Sequence, residues 1–443
     1  MTELLSPISA TLAPYLACQR WYVAYSGGLD SHVLLHLAWR LRQEALRAGK
    51  PFPELCAIHV NHQLQADSLH WAAHCTSTCN EYGIAIDVRA VSIEGRRQGV
   101  ESLARAARYK VFEDIVDERS VLLIAHHQDD QAETFLLRLM RGAGAGGLAA
   151  MPVSRPLGRA TLFRPLLNMA RSQLEAYAAE HCLEFIDDPS NRDPHYRRNF
   201  LRHRVMPVLA EVWPAYRHSI ARAAELQAET NNLLSAYLST DVTTISDADG
   251  SLDLKALMKF DALRQRAVLR HYVLQHLGIR LDKAQSEELV GQFLHSSPDS
   301  QPVFELNNGM TIRAFRGRLS CERDPVGYVF DRGLVQDWDG QQVCLIRGLG
   351  RLSAEAGGKF LPRGKMTVRF RSGGERCRIA GHEHSRPLKK LLQEWDVPPW
   401  KRDVLPLIYC DDEIAAIADI AVCEGFQAGA GETGLSLRWL LSR

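Results

Sequence analysis

The chain has 443 residues, which is enough for several domains. Its composition is that of a globular protein, and its net charge of +1 excludes a global attraction to nucleic acid, so such a partner would have to meet a local basic surface. The start lacks the basic and apolar regions of a signal peptide, no apolar run is long enough to span a bilayer, and the cysteines show no small-scaffold spacing; we therefore expect a cytoplasmic protein with reduced thiols.

The first half of the sequence predicts alternating strands and helices. A short leading helix is expected at 3–16. Buried strands are predicted at 21–25, 55–61, 84–91 and 121–125, and the helices that follow them end near residues 48, 81, 117 and 141. This alternation indicates an α/β fold with a Rossmann-like parallel sheet and helices on both faces. Ligands in such sheets bind beyond the carboxyl ends of the strands.

The second half predicts a different organisation. Helical patterns fill most of 172–295, and short strand-like runs follow over 302–350. Four glycines within 348–358 favour a linker at that point. We therefore expect three domains, namely a catalytic domain at 1–215, a mainly helical middle domain at 216–350 and a small mixed α/β domain at 366–443.

The first predicted strand runs into the motif SGGLDS, residues 26–31, and a helix begins at once. The first-turn amides of a helix have no partners inside it, and the helix dipole favours negative charge there. Gly27 and Gly28 let the backbone approach a phosphate closely, while Ser26 and Ser31 supply hydroxyl donors. The motif is not a Walker A loop, because it lacks the lysine of that pattern. It predicts a phosphate site.

Two further segments carry polar side chains toward the same edge of the predicted sheet. His59 ends the second strand and is expected either to form a wall of a nucleotide pocket or to cap the strand. Arg105 shares a helix face with Glu101 and Arg108. That face is either a surface salt-bridge ladder or a place where a guanidinium reaches a phosphate.

The second strong motif is AHHQDDQAET, residues 125–134, which follows the fourth strand and opens a helix. His126, Asp130 and Glu133 are spaced i, i+4 and i+7, so we expect them on one helix face. Such a face holds a base, a carboxylate that organises a metal and a group that binds an amine. A direct metal site and a merely capped helix start are the competing interpretations.

Basic residues concentrate in two tracts despite the near-neutral net charge. The first, with Tyr196 and Phe200 among its charges, comprises Arg192, Arg197, Arg198, Arg202, His203 and Arg204. The second, with Trp395 and Trp400 inside it, comprises Arg369, Arg371, Arg376, Arg378, Arg386, Lys389, Lys390, Lys401 and Arg402. Cations with interleaved aromatic rings favour a nucleic-acid substrate over a small one, although a solvated helix face explains the first tract equally well.

Together the motifs resemble a known family. SGGxDS is the signature of the PP-loop ATP pyrophosphatases. The order of motifs is similar to that of the bacterial tRNA(Ile)-lysidine synthetases: SGGLDS, HVNHQL, ESLARAARY, AHHQDDQAET, RGAGAGGLAAM, RPLL and DDPSNRDPHYRRNFLRHRVMPVL. The segment RSGGERCRIAGHEHSRPLKKLLQEWDVPPWKRDVLPLIYCDDEIAAI resembles the last domain of that family. The resemblance covers about 20–215 and 366–425.

The resemblance implies that the wobble cytidine of an isoleucine tRNA with a CAU anticodon is adenylated by ATP at O2. Free L-lysine then displaces AMP to give lysidine. By position, ATP would be bound by Ser26, Gly27, Gly28, Leu29, Asp30, Ser31 and His59, and Asp30 would help to place Mg²⁺. The catalytic residues would be Asp30, Arg105, His126, Asp130 and Glu133. Glu133 is assigned to the lysine ammonium by charge complementarity, and the identity of the base is open.

Three other readings remain at this point. A sulfur-inserting PP-loop tRNA enzyme would carry reactive cysteines, commonly as C-x-x-C, and no such pair occurs. A small-molecule amidotransferase or ligase would leave both basic tracts unexplained. A non-catalytic RNA-binding protein would hold ATP only as a structural ligand. The sequence leaves open whether the chain forms a homodimer and which residues read the anticodon.

Overall fold

In the computed structural model the described residues are 4–63, 67–92, 100–189, 193–295, 302–306, 309–323, 330–429 and 431–441. The chain divides into two compact units, Met1–Leu234 and Ser235–Arg443. The helix that contains the division runs from Tyr216 to Ile245. Among the described residues, no helix is both long and apolar enough to cross a membrane.

The first unit is built on a six-stranded sheet in the order β3-β2-β1-β4-β6-β5. Its strands are β1 Arg20–Ala24, β2 Glu54–Asn61, β3 Ala85–Ala90, β4 Ser120–Leu123, β5 Ser154–Leu157 and β6 Ala160–Phe163. All neighbours pair in parallel except β5, which lies antiparallel on β6 at the edge. The predicted parallel sheet is confirmed. The hairpin of β5 and β6 was not predicted, because its strands are short and follow no strong alternation.

Helices cover both faces of this sheet. The helices of this part of the chain are α1 Leu5–Leu12, α2 Leu29–Arg47, α3 Ser68–Glu81, α4 Val100–Ile115, α5 Gln128–Leu139, α6 Ala145–Leu148, α7 Arg171–Glu180, α8 Arg197–Phe200, α9 Met206–Val212 and α10 Tyr216–Ile245. Trp21 and Val23 of β1 enter one buried cluster, and Tyr22 enters a second cluster with Phe112 of α4. Because both faces of the sheet are covered, the sequences of its central strands are continuous apolar runs.

A buried polar cluster joins α2 to α7 and to the segment that follows α7. His36 Nδ1 lies 2.9 Å from Tyr177 Oη, and His32 Nδ1 lies 2.7 Å from the carbonyl oxygen of Glu184. The ring of Trp39 stacks on His36 at a centroid distance of 5.4 Å. Burial lowers the pKa of His36 to about 4, and the neighbouring His181, His32 and Arg40 act in the same direction.

We expect the variant His36→Gln to lose part of the acid sensitivity of the first unit. Between pH 6.5 and about pH 4 the unfolded chain binds a proton that the folded His36 refuses, so stability falls as the pH falls through this window. In the wild type, this effect of His36 should lower the free energy of unfolding by about 2 kcal/mol between pH 7 and pH 5. Urea unfolding at both pH values, followed by tryptophan fluorescence, measures it. Equal pH slopes for the variant and the wild type would refute the assignment.

The second unit begins with helices and a four-stranded antiparallel sheet in the order β7-β10-β9-β8. Its elements are β7 Leu252–Asp253, α11 Leu254–Leu257, α12 Ala262–Leu277, α13 Lys283–Leu294, β8 Val303–Leu306, β9 Met310–Phe315 and β10 Arg318–Arg323. The last turns of α10 share their apolar core with these elements. The expected helices are present, and the short strand-like runs form a sheet that packs on them.

The rest of the second unit is a small mixed module. Its elements are β11 Gln336–Asp337, β12 Cys344–Ile346, β13 Gly350–Gly358, β14 Met366–Arg369, β15 Arg376–Cys377, β16 Arg386–Pro387, α14 Leu388–Glu394, α15 Pro399–Arg402, β17 Leu407–Cys410, β18 Glu413–Ile417, β19 Ala421–Val422 and β20 Gly434–Leu441. The predicted linker at 348–358 is wrong, since β13 pairs along its length with β20. Its glycines allow close strand approach: a Cβ on Gly358 would lie 2.1 Å from the carbonyl oxygen of Leu435.

Candidate functional site

The strand β1 leads into a tight loop whose backbone requires glycine at position 27. Gly27 has a φ of +85°, and a Cβ on it would lie 2.6 Å from Ile186 Cδ1 and 3.0 Å from Cys75 Sγ. The amide of Ile186 donates to the carbonyl oxygen of Gly27 at 2.9 Å. The loop is therefore held from outside by the segment after α7, and a side chain at position 27 would push the two apart.

The loop is also stiffened from inside by its two serines. Ser31 Oγ donates to the carbonyl oxygen of Gly28 at 3.0 Å and lies 3.0 Å from Ser26 Oγ. Gly28 is the N-cap of α2 and supplies no side-chain cap. The first-turn amides of α2, from Leu29 onward, are therefore left to an anion, as the sequence predicts.

The loop opens on a cleft of about 1080 Å³ in the first unit. Most of the predicted site residues line it: Ser26, Gly28, Leu29, Asp30, Ser31, His59, His126 and Asp130. Gly27, Arg105 and Glu133 are described but stand outside the lining. His59 Nδ1 donates to the carbonyl oxygen of Tyr25 at 2.9 Å, so its ring belongs to the wall. Contact of His59 with a nucleotide stays a prediction.

Asp30 combines one engaged and one unengaged carboxylate oxygen. Its Oδ2 lies 3.5 Å from His127 Nε2. Its Oδ1 is buried and has no hydrogen-bond partner among the described residues. An unpartnered buried carboxylate oxygen is costly unless a cation or a donor satisfies it. Mg²⁺ bound with a nucleotide typically takes one or two carboxylates and completes its shell with phosphate oxygens and water, so Asp30 fits such an ion.

His127, which the sequence reasoning passed over, is the residue that joins the two motifs. It is fully buried at the N-cap of α5, where its backbone amide donates to Asp130 Oδ2 at 3.1 Å. Its Nε2 lies 3.4 Å from that same oxygen and 3.5 Å from Asp30 Oδ2. Burial lowers the pKa of His127, but the carboxylates of Asp30, Asp130 and Asp129 outweigh it, and the net pKa is raised. Histidine is not among the usual N-cap residues, so the sequence carried no capping signal for the reciprocal cap that His127 forms with Asp130.

Asp130 and Glu133 of α5 face two arginines from α8 and the turn that follows it. Glu133 Oε2 accepts a hydrogen bond from Arg198 Nε at 2.6 Å, and Glu133 Oε1 accepts one from Arg202 Nε at 2.7 Å. Asp130 Oδ1 lies 3.1 Å from Arg198 Nη2. Burial raises the pKa of Asp130, but His127, Arg198 and His126 outweigh burial, and the net pKa is lowered to about 2. Two guanidinium groups therefore already share the Glu133 carboxylate. Its assignment to a lysine ammonium stays a prediction.

These contacts revise the first basic tract. Arg198 and Arg202 are turned toward carboxylates inside the protein, whereas Arg197, His203 and Arg204 are exposed. The aromatic rings of Tyr196 and Phe200 are 45% and 50% exposed, as contact with nucleobases would require. Arg192 lies outside the described residues.

His126 precedes α5 instead of lying on it, so the predicted helix face shared with Asp130 and Glu133 is wrong for this residue. Its Nδ1 accepts from Arg164 Nε at 3.0 Å. Burial lowers the pKa of His126 to about 3; Asp130 opposes this, and Arg164, Arg198 and Arg105 add to it. The ring is therefore neutral near pH 7. Since Nδ1 accepts, Nε2 carries the proton and is a donor.

Arg105 lies on α4, and its contacts are with Tyr109 of the same helix. Its Nη2 donates to Tyr109 Oη at 3.2 Å. Nothing is described of the side chain of Glu101, so the predicted salt-bridge ladder lies outside the described contacts. The guanidinium of Arg105 is exposed beside the cleft, and its contact with a substrate stays a prediction.

Fold and site together define a PP-loop protein, and family models agree. A model described as a PP-loop domain matches residues 3–209, so the domain is one that uses ATP. A model described as the TilS substrate binding domain matches 252–320, and one described as the TilS substrate C-terminal domain matches 366–439.

Full-length relatives narrow the class to one family. The tRNA(Ile)-lysidine synthase of Serratia proteamaculans (strain 568) is 39% identical and covers 98% of each chain. The enzyme of the same name from Coxiella burnetii (strain RSA 493 / Nine Mile phase I) is 38% identical and covers 93% of this chain and 91% of its own. The chain belongs to the tRNA(Ile)-lysidine synthase family. Among solved structures, the U34-tRNA thiolase NcsA from Methanococcus maripaludis aligns with a TM-score of 0.43 at 21% identity, over 51% of this chain and 78% of its own.

Proposed function

We propose that the protein ligates free L-lysine to C2 of the wobble cytidine of tRNA(Ile) with a CAU anticodon, with consumption of ATP and release of AMP and pyrophosphate. The observation that carries the proposal is the uncapped start of α2 at SGGLDS, which opens with Asp30 into one cleft beside His126 and Asp130. Family membership supplies the substrate, and the cleft supplies a place where a nucleotide and a second substrate meet.

In the first half of the reaction, cytidine O2 attacks the α-phosphorus of ATP. The loop amides and the start of α2 stabilise the charge on the phosphates, and Asp30 Oδ1 would hold Mg²⁺. When bound, the ion supplies positive charge to the phosphate oxygens. His126 would direct its Nε2–H into the cleft, where it donates to an oxygen that gains negative charge.

In the second half, the ε-amine of lysine attacks C2 and AMP leaves. Cytosine O2 alone is a poor leaving group, and its transfer into AMP makes it a good one. Both substrates must be held in line in the cleft, because large effective molarities arise from such alignment. The ε-ammonium must lose a proton near neutral pH although its free pKa is about 10.4, so the site needs a proton acceptor.

The proposal is tested by incubating the protein with total bacterial tRNA, ATP and labelled lysine. Label in an isoleucine tRNA with a CAU anticodon supports it, and absence of label from that tRNA overturns it. The variant Cys182→Ser is the matched control for sulfur chemistry, because Cys182 lines the cleft. Full lysine incorporation by this variant is expected, whereas loss of incorporation would favour a cysteine-dependent reaction.

We further propose that residues 366–443, the greater part of the small mixed module, dock tRNA. Part of its basic tract is already paired: Arg371 with Asp403, Arg386 with Glu394 and Lys401 with Glu322. Lys389 and Lys390 of α14 are exposed, while the leucines of the same helix are buried. These two lysines are therefore suited to phosphate contact.

The double variant Lys389→Gln, Lys390→Gln should bind tRNA more weakly and with a flatter salt dependence. Each phosphate contact releases counterions, so the slope of log K against log salt should fall by about 1–2. Filter binding of tRNA at salt concentrations from about 50 to about 200 mM measures this slope. Lys50→Gln is the control, because Lys50 follows the end of α2 that lies away from the cleft. An unchanged slope in the double variant would refute the docking surface.

Several finer points stay proposals. The domain boundaries 1–215, 216–350 and 366–443 stay a proposal, which limited proteolysis tests. Association of two copies into a homodimer is tested by sedimentation of the full chain. The cytoplasmic location stays a prediction.

A further inference from the structure

Tyr109 lies where α4 meets the cleft, and arginines surround its ring. It lines the cleft together with Arg108 and His126. Its Oη accepts from Arg105 Nη2 at 3.2 Å. The guanidinium carbons of Arg105 and Arg155 lie 5.0 Å and 4.8 Å from the ring centre. The cluster thus brings together cations from α4 and from the edge strand β5.

A third cation approaches from the segment after β6. Arg164 is only 2% exposed, and it donates to the carbonyl oxygen of Pro152 at 2.6 Å and to His126 Nδ1. Arg155 donates to the carbonyl oxygen of Pro156. In the described part of the chain, no carboxylate pairs with Arg105, Arg155 or Arg164. A buried guanidinium without a counter-charge is unfavourable.

The phenol of Tyr109 is the group that can supply this counter-charge. Burial raises its pKa, but Arg105, Arg155 and Arg164 outweigh burial, and the pKa is lowered from its usual value. Conversely, burial lowers the pKa of Arg164, and Tyr109 opposes that effect. The cations therefore stabilise the phenolate of a side chain that lines the cleft.

The polar residues beside it are poorly suited to accept a proton. The lone pair of His126 Nδ1 is engaged by Arg164. Asp130 is paired with His127, Arg198 and Arg202. A carboxylate or imidazole held in this way is a weak base, whereas a phenolate is a stronger one and matches an amine more closely.

On the basis of the proposed function, we propose that Tyr109 is the general base of lysine transfer. Its phenolate oxygen takes one proton from the ε-ammonium. The freed nitrogen lone pair forms the bond to C2, and the C2–O bond breaks with its electron pair leaving on AMP. The second proton of the nitrogen passes to the phosphate of the departing AMP, so charge and atoms balance.

The variant Tyr109→Phe tests this role, because it keeps the ring that the guanidinium groups face. In single-turnover experiments at pH 7 we expect lysine transfer to fall by about 10²-fold, while adenylation, followed as pyrophosphate release, stays within about twofold. The deficit should shrink toward pH 10, since the free amine then forms without a base. A deficit that is independent of pH would show a structural role and overturn the proposal.

Site-specific 3,5-difluorotyrosine at position 109 gives a second readout with little steric change. Fluorine lowers the pKa of the phenol, so the acidic limb of lysine transfer should move to lower pH. The same residue at position 237 is the control, because Tyr237 is 73% exposed and lies in the second unit. An unmoved limb at position 109 overturns the proposal. Absence of lysine incorporation by the wild-type protein would instead refute the proposed function.

Discussion

In the presence of tRNA, the variant Asp30→Asn should release pyrophosphate at least about 10³-fold more slowly than the wild type. It should still bind tRNA. Asparagine keeps the shape of the side chain but removes the charge at Oδ1, the buried oxygen that has no partner among the described residues. It also removes one of the carboxylates that face His127 Nε2. Pyrophosphate release and filter binding measured on the same preparation separate chemistry from binding.

The matched control is Asp87→Asn, which removes a carboxylate paired with Arg89 on the edge strand β3 and outside the cleft lining. This control should keep wild-type activity. Retained lysidine formation in Asp30→Asn would refute the role given to Asp30. Loss of tRNA binding together with chemistry would point instead to a damaged fold, which the thermal unfolding of the variant would reveal.

The variant Glu133→Gln should destabilise the first unit, because glutamine leaves two guanidinium groups without their buried counter-charge. The carboxylate is 1% exposed and neutralises both Arg198 and Arg202, whose side chains are 27% and 24% exposed. Removal of one partner of a buried ion pair costs about 3–5 kcal/mol, and the partial exposure of the arginines reduces the expected loss to about 2–4 kcal/mol. Urea unfolding at pH 7 measures the change.

An exposed pair of the same chemistry provides the control. Glu175 lies 3.0 Å from Arg171 on α7, and the Glu175 side chain is 53% exposed. Glu175→Gln should therefore change the free energy of unfolding by less than about 1 kcal/mol. If Glu133→Gln unfolds like the wild type and only raises the lysine concentration needed for half-maximal rate, Glu133 binds the substrate ammonium and the structural role is refuted.

The starts of α2 and α5 differ in how well the local sequence predicts them. The start of α2 was predicted because a strand, a glycine turn and a helix are encoded by adjacent residues. The role of His127 does not follow from the motif, because the spacing of His126, Asp130 and Glu133 predicts a shared face only if the helix already includes residue 126. The helix begins at Gln128, so His126 lies outside it and His127 takes the N-cap.

Long-range pairing accounts for the other differences. The sequence places Arg198 and Arg202 in a basic tract, but in the fold they contact Glu133 at sequence separations of 65 and 69 residues. The glycines of 348–358 predict a linker by local composition, but β13 pairs with Gly434–Leu441, which is distant in the sequence. Local composition cannot distinguish a flexible glycine from one that makes room for a neighbouring backbone.

The sequence by itself determined the parallel sheet, the anion-binding turn at 26–31 and the family, since each depends on residues close together in the chain. Only the tertiary structure decided which charged side chains form ion pairs inside the protein and which face the cleft. The physical reason is that an ion pair depends on distance in space and on exclusion of water, neither of which is written in residue spacing. The arginines around Tyr109, drawn from α4, β5 and the segment after β6, show the same dependence.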